Sequence, residues 1–310
     1  MTMTEKSISV TSSNLGKITA PVFRRNTLII GSGAAGLNAA LRLHELGIKD
    51  SMIVTEGLDM GTSINTGSDK QTYYKLSMYG EDADSPVLMA GTYFDGGSMH
   101  GDLALVEASV SARAFLRLVD MGVPFPTDRF GQFVGYKTDH DPRRRATSIG
   151  PYTSKEMCLA LTRRIKSEGV PVREKRTVVS LLTVGNKSET AIAGAVAVNN
   201  ETSGVEIYMA DNVVFATGGP GGLYRTSVYP QVHTGGIGLA LLAGARSVNL
   251  PESQYGMAST AFRWNVSGTY MQVVPRFISR NPDGSDEKEF LLDYLESPPE
   301  TYSRVFLKGY

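Results

Sequence analysis

The chain has 310 residues, enough for one large or two ordinary hydrophobic cores, and its 31 Lys and Arg balance its 31 Asp and Glu. With no net charge and no long like-charge block, the composition excludes a partner held by bulk electrostatics, whether nucleic acid or anionic membrane surface. Cys158 is the only cysteine, so an internal disulfide, an all-cysteine metal site and an iron–sulfur cluster are all excluded, and a reducing, cytoplasmic setting fits.

No apolar stretch approaches the length of a membrane span, so no direct membrane insertion is expected. Met1 to Ala20 is rich in Ser and Thr and lacks the continuous apolar region of a secretory signal, and residues 1–25 read as a flexible leader or an extra edge segment. The next stretch, Thr27-Leu28-Ile29-Ile30-Gly31-Ser32-Gly33-Ala34-Ala35-Gly36, places a short apolar strand directly before three glycines, and a helix-like stretch from Leu37 to Leu46 follows. Gly31 allows a sharp turn, Gly33 removes the side chain that would hold a pyrophosphate away, and Gly36 lets the helix sit close on the sheet. The free N–H groups and the dipole of the first helical turn then face the anion.

A second apolar run, Met52 to Val54, leads to Glu56, whose carboxylate suits the ribose hydroxyls of an adenine dinucleotide. The motif alone leaves NAD and FAD both open. Gly57 to Tyr79 is a long polar loop that leaves the carboxyl end of the sheet, where a dinucleotide lies in such folds. Leu105, Ala108, Ala112, Phe115, Leu116 and Val119 repeat at helical spacing up to Gly122 and read as a structural helix. The basic cluster Arg143 to Arg145, flanked by Asp139 and Asp141, reads as a solvated loop.

Thr153-x-x-Glu156 is a candidate capping box for a helix that buries Cys158, Leu161 and Ile165, with Gly169 and Pro171 as its stop. The period then changes. Val178 to Val184, Ala191 to Val198 and Glu206 to Ala210 read as a small antiparallel meander, and Val213 to Ala216 as a separate, fully apolar strand ending at Thr217-Gly218-Gly219.

The glycine turn with its acidic partner, the meander insertion, the strand ending Ala216-Thr217-Gly218-Gly219 and a Gly/Ala-rich helix from Gly236 to Ala245 together resemble the FAD-binding flavoproteins of the succinate dehydrogenase and fumarate reductase type, a group that includes L-aspartate oxidase. The resemblance covers about residues 26 to 260. It implies an α/β fold: a Rossmann-like FAD-binding domain over 26–260 with a β-meander insertion, and over 261–310 the beginning of an α+β capping domain, with the chain ending inside the cap. It implies FAD as cofactor, a flavin-dependent oxidoreductase as the activity, a small-molecule substrate, and a second subunit or other electron-transfer partner. The competing reading is a non-catalytic FAD-binding fragment or subunit that needs a partner polypeptide to complete its site.

By the same resemblance Gly31, Ser32, Gly33, Ala35 and Gly36 hold the pyrophosphate and Glu56 takes the adenosine ribose. Val178 offers backbone to the adenine, Ala216, Thr217, Gly218 and Gly219 lie along the cofactor, and Thr62, Ser63, Thr66, Gly67 and Ser68 run past the flavin ring. Members that bind FAD covalently use a histidine in that loop, and Thr62-Ser63-Ile64-Asn65 has none, so non-covalent FAD is expected. Dicarboxylate-acting members carry a Q-F-H-P-T segment where this chain has Gln254-Tyr255-Gly256-Met257-Ala258, and a Thr-Glu pair where it has Gln272-Val273, which argues against fumarate or succinate as substrate. Candidate catalytic or substrate-binding groups are His140, Arg263 and Arg276, since a guanidinium matches a carboxylate in bidentate fashion. No metal ligands are expected. His44 reads as a surface residue of the first helix, His233 as local backbone support near the cofactor, and Trp264 as a core or domain-interface residue.

Overall fold

Apolar strands in parallel register organise the first of two compact units. The computed structural model describes residues 6–12, 16–66, 71–81, 83–138, 141–186, 189–219, 221, 227, 229–230, 233, 236–248, 259, 261–262, 266 and 268–307. The chain forms two compact units, residues 1–66, 121–123 and 154–250 in the first and residues 67–120, 124–153 and 251–310 in the second. Residues 67–120 and 124–153, inside the span 26–260, thus group with the second unit.

The first unit is built on a seven-stranded sheet. Strand β1 (Lys6–Ser12) pairs antiparallel with β2 (Gly16–Ile30), so the amino-terminal segment contributes an edge strand, and β2 is much longer than its apolar tip at Thr27 to Ile30. Helix α1 (Ala34–Glu45) follows, then β3 (Ser51–Val54), which runs parallel to β2 from the Thr27–Ser51 pair to the Ile30–Val54 pair. Helix α1 buries Leu37, Ala40 and Leu41, one stripe at helical spacing. His44, expected at the surface, is 8% exposed and neither of its ring nitrogens has a hydrogen-bond partner, because it continues that inward stripe by one turn.

A short helix α2 (Thr62–Asn65) interrupts the polar loop. In the second unit come β4 (Tyr73–Tyr74), α3 (Pro86–Asp95), α4 (Gly101–Asp120) and β5 (Ala146–Thr147). Helix α3 has a Ser-Pro start in which Ser85 Oγ accepts from the Leu88 N–H at 3.2 Å. The inward residues of α4 are Ala104, Ala108, Ser111, Phe115 and Leu118, while Leu105 and Leu116 are exposed, so the buried stripe is rotated from the one its leucines mark out. Phe115 anchors a small aromatic core with Tyr73, Phe125 and Phe133, at ring-centroid distances of 5.6, 4.6 and 4.9 Å.

Helix α5 (Thr153–Ser167) buries Cys158, Leu161 and Ile165 as its spacing predicts. Its capping box does not form. The Thr153 hydroxyl instead accepts from the Ile149 N–H at 3.2 Å and faces the Gly150 and Gln71 carbonyls at 2.8 and 3.0 Å.

Strand β6 (Val172–Arg173) extends the parallel sheet beside β3, and β7 (Arg176–Asn186), β8 (Glu189–Asn199) and β9 (Val205–Phe215) form the antiparallel meander. The two strands expected at Glu206 to Ala210 and Val213 to Ala216 are one. The length of β2 explains the fusion: β9 pairs with it in parallel from Val22–Ile207 to Ile30–Phe215, which carries the strand through the polar Asp211-Asn212 step. Arg24 caps that step with an ion pair to Asp211 at 3.3 Å. The core on one face joins Leu28, Ile30, Met52, Val54, Ala195, Ala197, Tyr208 and Ala210, and Phe23 stacks on Tyr208 at 5.2 Å. Helix α6 (Ile237–Leu242) closes the first unit and α7 (Pro298–Leu307) the described part of the second. Among the described residues no helix is long and apolar enough to cross a membrane.

Candidate functional site

The parallel strands β2, β3 and β9 end together, and their carboxyl ends open into a cavity of about 460 Å³ within the first unit. Gly31 lines its floor, and Gly36 packs beneath. Gly31 has φ +100°, and a Cβ there would stand 2.4 Å from the Ala216 carbonyl oxygen. A Cβ on Gly36 would stand 2.0 Å from the Gly31 carbonyl oxygen. Only glycine permits this turn and this approach of helix to strand end. The Gly31 N–H donates to the Val54 carbonyl at 2.9 Å and the Ala216 N–H to the Ile30 carbonyl at 2.8 Å, so the turn is locked to both neighbouring strands.

Gly33 is the N-cap of α1 and has no side chain to fill its own orphan donors. The first-turn N–H groups have no intrahelical acceptor, and with the helix dipole they give the cavity wall the character that suits an anion. Ser32 lines the cavity, but its hydroxyl lies 2.7 Å from Thr55 Oγ1 and donates to the Gly57 carbonyl at 3.0 Å, which leaves its backbone as its contribution to an anion. Ser63, from α2, reaches across to accept from the Ala34 N–H at 3.3 Å. Behind it, Ser154 donates to the Ser63 carbonyl at 2.6 Å, and burial pushes the Cys158 thiol up to about 11 despite its hydrogen bond with Ser63.

At the other end of the cavity stands Glu56, where Oε1 accepts from the Thr177 hydroxyl at 2.9 Å. Val178 follows directly, and the β7–β8 register slips between Val178 and Ser180. Such a bulge releases backbone groups from the ladder; a second slip lies at Leu182/Thr183, and it is the one at Val178 that borders the cavity. The neighbouring Arg176 is committed to Glu206 at 2.9 Å and Glu201 at 3.2 Å. Burial alone would raise the Glu206 carboxyl, but hydrogen bonds from Arg176, Tyr208 and Asn199 outweigh it and hold the group at about 2.

Of the sequence-predicted residues, Gly31, Ser32, Gly33, Ala35, Glu56, Thr62, Ser63, Val178, Ala216, Thr217 and Gly218 line this one cavity. Gly36 lies beneath it, Thr66 ends α2 with its hydroxyl donating to the Thr62 carbonyl at 2.7 Å, and Gly219 continues the second glycine turn. Gly67, Ser68, His140, Arg263, Trp264 and the segment Gln254 to Ala258 lie outside the described residues. Arg276 belongs to the second unit, 63% exposed and ion-paired with Glu289 at 3.0 Å. The Arg143 to Arg145 cluster is not a solvated loop: Arg145 is fully buried, bonded to Asp84 at 2.8 Å and to Asp141 at 3.4 Å. Sequence reasoning missed Thr55 and Thr177, which also line the cavity; Thr177 was signalled only by its place beside Val178. Among the described residues no cluster could hold a metal ion.

The family model described as "FAD binding domain" matches residues 26–282. The L-aspartate oxidase of Streptomyces coelicolor is 28% identical over 74% of this chain and 39% of its own length. A fumarate reductase (CoM/CoB) subunit of Methanothermobacter marburgensis is 27% identical over 76% of this chain and 42% of its own. The solved structure of Mycobacterium smegmatis Sdh1 in complex with UQ1 superposes with TM-score 0.74 at 20% identity, covering 92% of this chain and 49% of that one, which shows a shared fold. The chain spans about half the length or less of these relatives. The residues present fit FAD: the glycine turn brings backbone to the cavity without side chains, a helix N-terminus faces it, and Thr217, whose buried hydroxyl has no hydrogen-bond partner, is among its lining residues.

Proposed function

The chain belongs to the FAD-binding domain family, and we propose that it serves a flavin-dependent oxidoreductase with non-covalently held FAD and a substrate other than fumarate or succinate. The observation that carries this reading is the single cavity joining the first glycine turn, Glu56, the β7 bulge and the second glycine turn. When bound, FAD supplies the hydride or electron transfer. The backbone of Gly31 to Gly36 holds the pyrophosphate, and Glu56, with Oε2 still free of the Thr177 bond, accepts from the ribose. Val178 offers its bulged backbone to the adenine, and Ala216 to Gly219 runs along the cofactor. The loop from Thr62 to Ser68, with Thr66, Gly67 and Ser68, passes the flavin ring and offers no histidine for a covalent bond.

His140, Arg263 and Arg276 are the groups proposed to meet an anionic substrate. Gly256, and Gln272-Val273, stand where dicarboxylate-acting members carry polar groups. A small-molecule substrate, a cytoplasmic setting and a second subunit or other electron-transfer partner complete the proposal; the names of the relatives, an oxidase and a reductase, support the reaction class.

Acid precipitation of the FAD-loaded protein tests the attachment: flavin is expected in the supernatant, and a yellow pellet would overturn non-covalent binding. E56A is expected to weaken FAD binding about tenfold to a hundredfold, the cost of one hydrogen bond to a charged group. Normal flavin content in both E56A and G33L would overturn the assignment of the cavity. Robust fumarate reduction with an artificial donor would overturn the substrate claim.

A further inference from the structure

His233 lies behind the cavity wall, against the second glycine turn. Cβ atoms at Gly218 and Gly221 would stand 3.3 and 3.0 Å from its ring, and Tyr229 packs on it with centroids 4.7 Å apart. Its Nδ1 is hydrogen-bonded to the Thr62 hydroxyl, and its Nε2 is buried with no partner. Thr62 itself lines the cavity as the first residue of α2.

These facts fix the direction of the hydrogen bond. A neutral imidazole carries one N–H. On Nε2 that proton would be a buried orphan donor, which folded proteins avoid more strictly than an unused lone pair. On Nδ1 it donates to Thr62 Oγ1, and the Nε2 lone pair is what stays unpaired. Thr62 then keeps its own proton to donate elsewhere. Thr62 is the first residue of its helix, so no earlier helical carbonyl is available for it to back-bond, and among the described residues its hydroxyl has no second partner. The proton is left to the cavity.

We propose that His233 is a positioning residue that sets the Thr62 hydroxyl as a donor to an acceptor atom at the flavin end of FAD, a claim that rests on the cofactor reading above. A donor aimed at an acceptor that becomes more electron-rich on reduction stabilises the reduced form, and so raises the midpoint potential as well as the affinity.

The test uses the full chain loaded with FAD, read by fluorescence titration and by dye-coupled determination of the midpoint potential. T62V and H233F, the second keeping a ring against Tyr229, are each expected to weaken FAD binding about threefold to tenfold and to lower the potential. The double variant should be no worse than the worse single, because both changes delete one donor. T62S and H233N, which keep a hydroxyl and a donor close to the Nδ1 position, should return toward wild type. An H233F protein with unchanged affinity and potential, or losses that multiply in the double variant, would overturn the proposal. Should H233F fail to fold, the rescue by H233N against T62V decides the same point. Absence of FAD binding by the wild-type chain would overturn the cofactor reading itself, and this inference with it.

Discussion

The glycine-floored cavity of the first unit and the ionic cluster of the second treat buried polar groups in opposite ways. Around Arg145 every bond is closed within the protein: its guanidinium reaches Asp84, Asp141, Tyr74 and Thr92, and Asp84 also accepts from the Ser77 and Ser85 N–H groups at 2.9 Å each. Around Thr62 and Thr217 the bonds are left open: the Thr217 hydroxyl and His233 Nε2 are buried without partners. A saturated network specifies structure, whereas polar groups held unsaturated beside a cavity mark a place for a ligand.

The largest effect that can break this comparison is at Gly36. In G36V the new side chain would meet a backbone carbonyl that the strand ends hold in place, so we expect a loss of about 4 kcal/mol or more, seen as a collapse of the urea midpoint together with flavin binding. A well-folded G36V that binds FAD would show that the turn is not locked. Next comes R145A, which takes the buried guanidinium from Asp84 and Asp141 and leaves them with weaker partners; removing one partner of such a network costs about 3–5 kcal/mol. Equilibrium unfolding reads it, and a loss near zero would mean that the cluster is not the closed network its geometry describes.

The smallest effect sharpens the comparison within the first unit, where Glu206 has its own saturated set of partners. Its folded carboxyl is depressed from the ordinary 4.5 to about 2, so its stabilisation is complete above pH 4.5 and is lost as the pH falls toward 2. Roughly 3 kcal/mol should disappear over that window, and E206Q should lose correspondingly less stability across it. An equal slope in both proteins would place the acid sensitivity elsewhere.

The turn from Ile30 to Gly36 was legible in the sequence because its backbone demands leave glycine as the residue that fits, so identity and geometry are tied one to one. The meander was legible from its period. The fusion of β9 was not, since the polar pair Asp211-Asn212 reads as a break until the long partner β2 is seen to run alongside. Arg145 misled for a related reason: three consecutive arginines look solvated, and the carboxylate that buries the third, Asp84, lies sixty-one positions away. The bond between His233 and Thr62 spans a still longer separation, and a single histidine carries no periodic signal.

The pairing of β2 with β9 bears on how the chain comes to its fold. Val22 cannot meet Ile207, nor Ile30 meet Phe215, until the ribosome has made almost the whole of the first unit. The local β2–α1–β3 crossover can assemble early, but one long flank of β2 waits for a partner from the far end of the unit, and high contact order of this kind slows folding. During that wait β2 presents an unpaired apolar edge, which makes it the segment most exposed to misassociation while the polypeptide is still emerging.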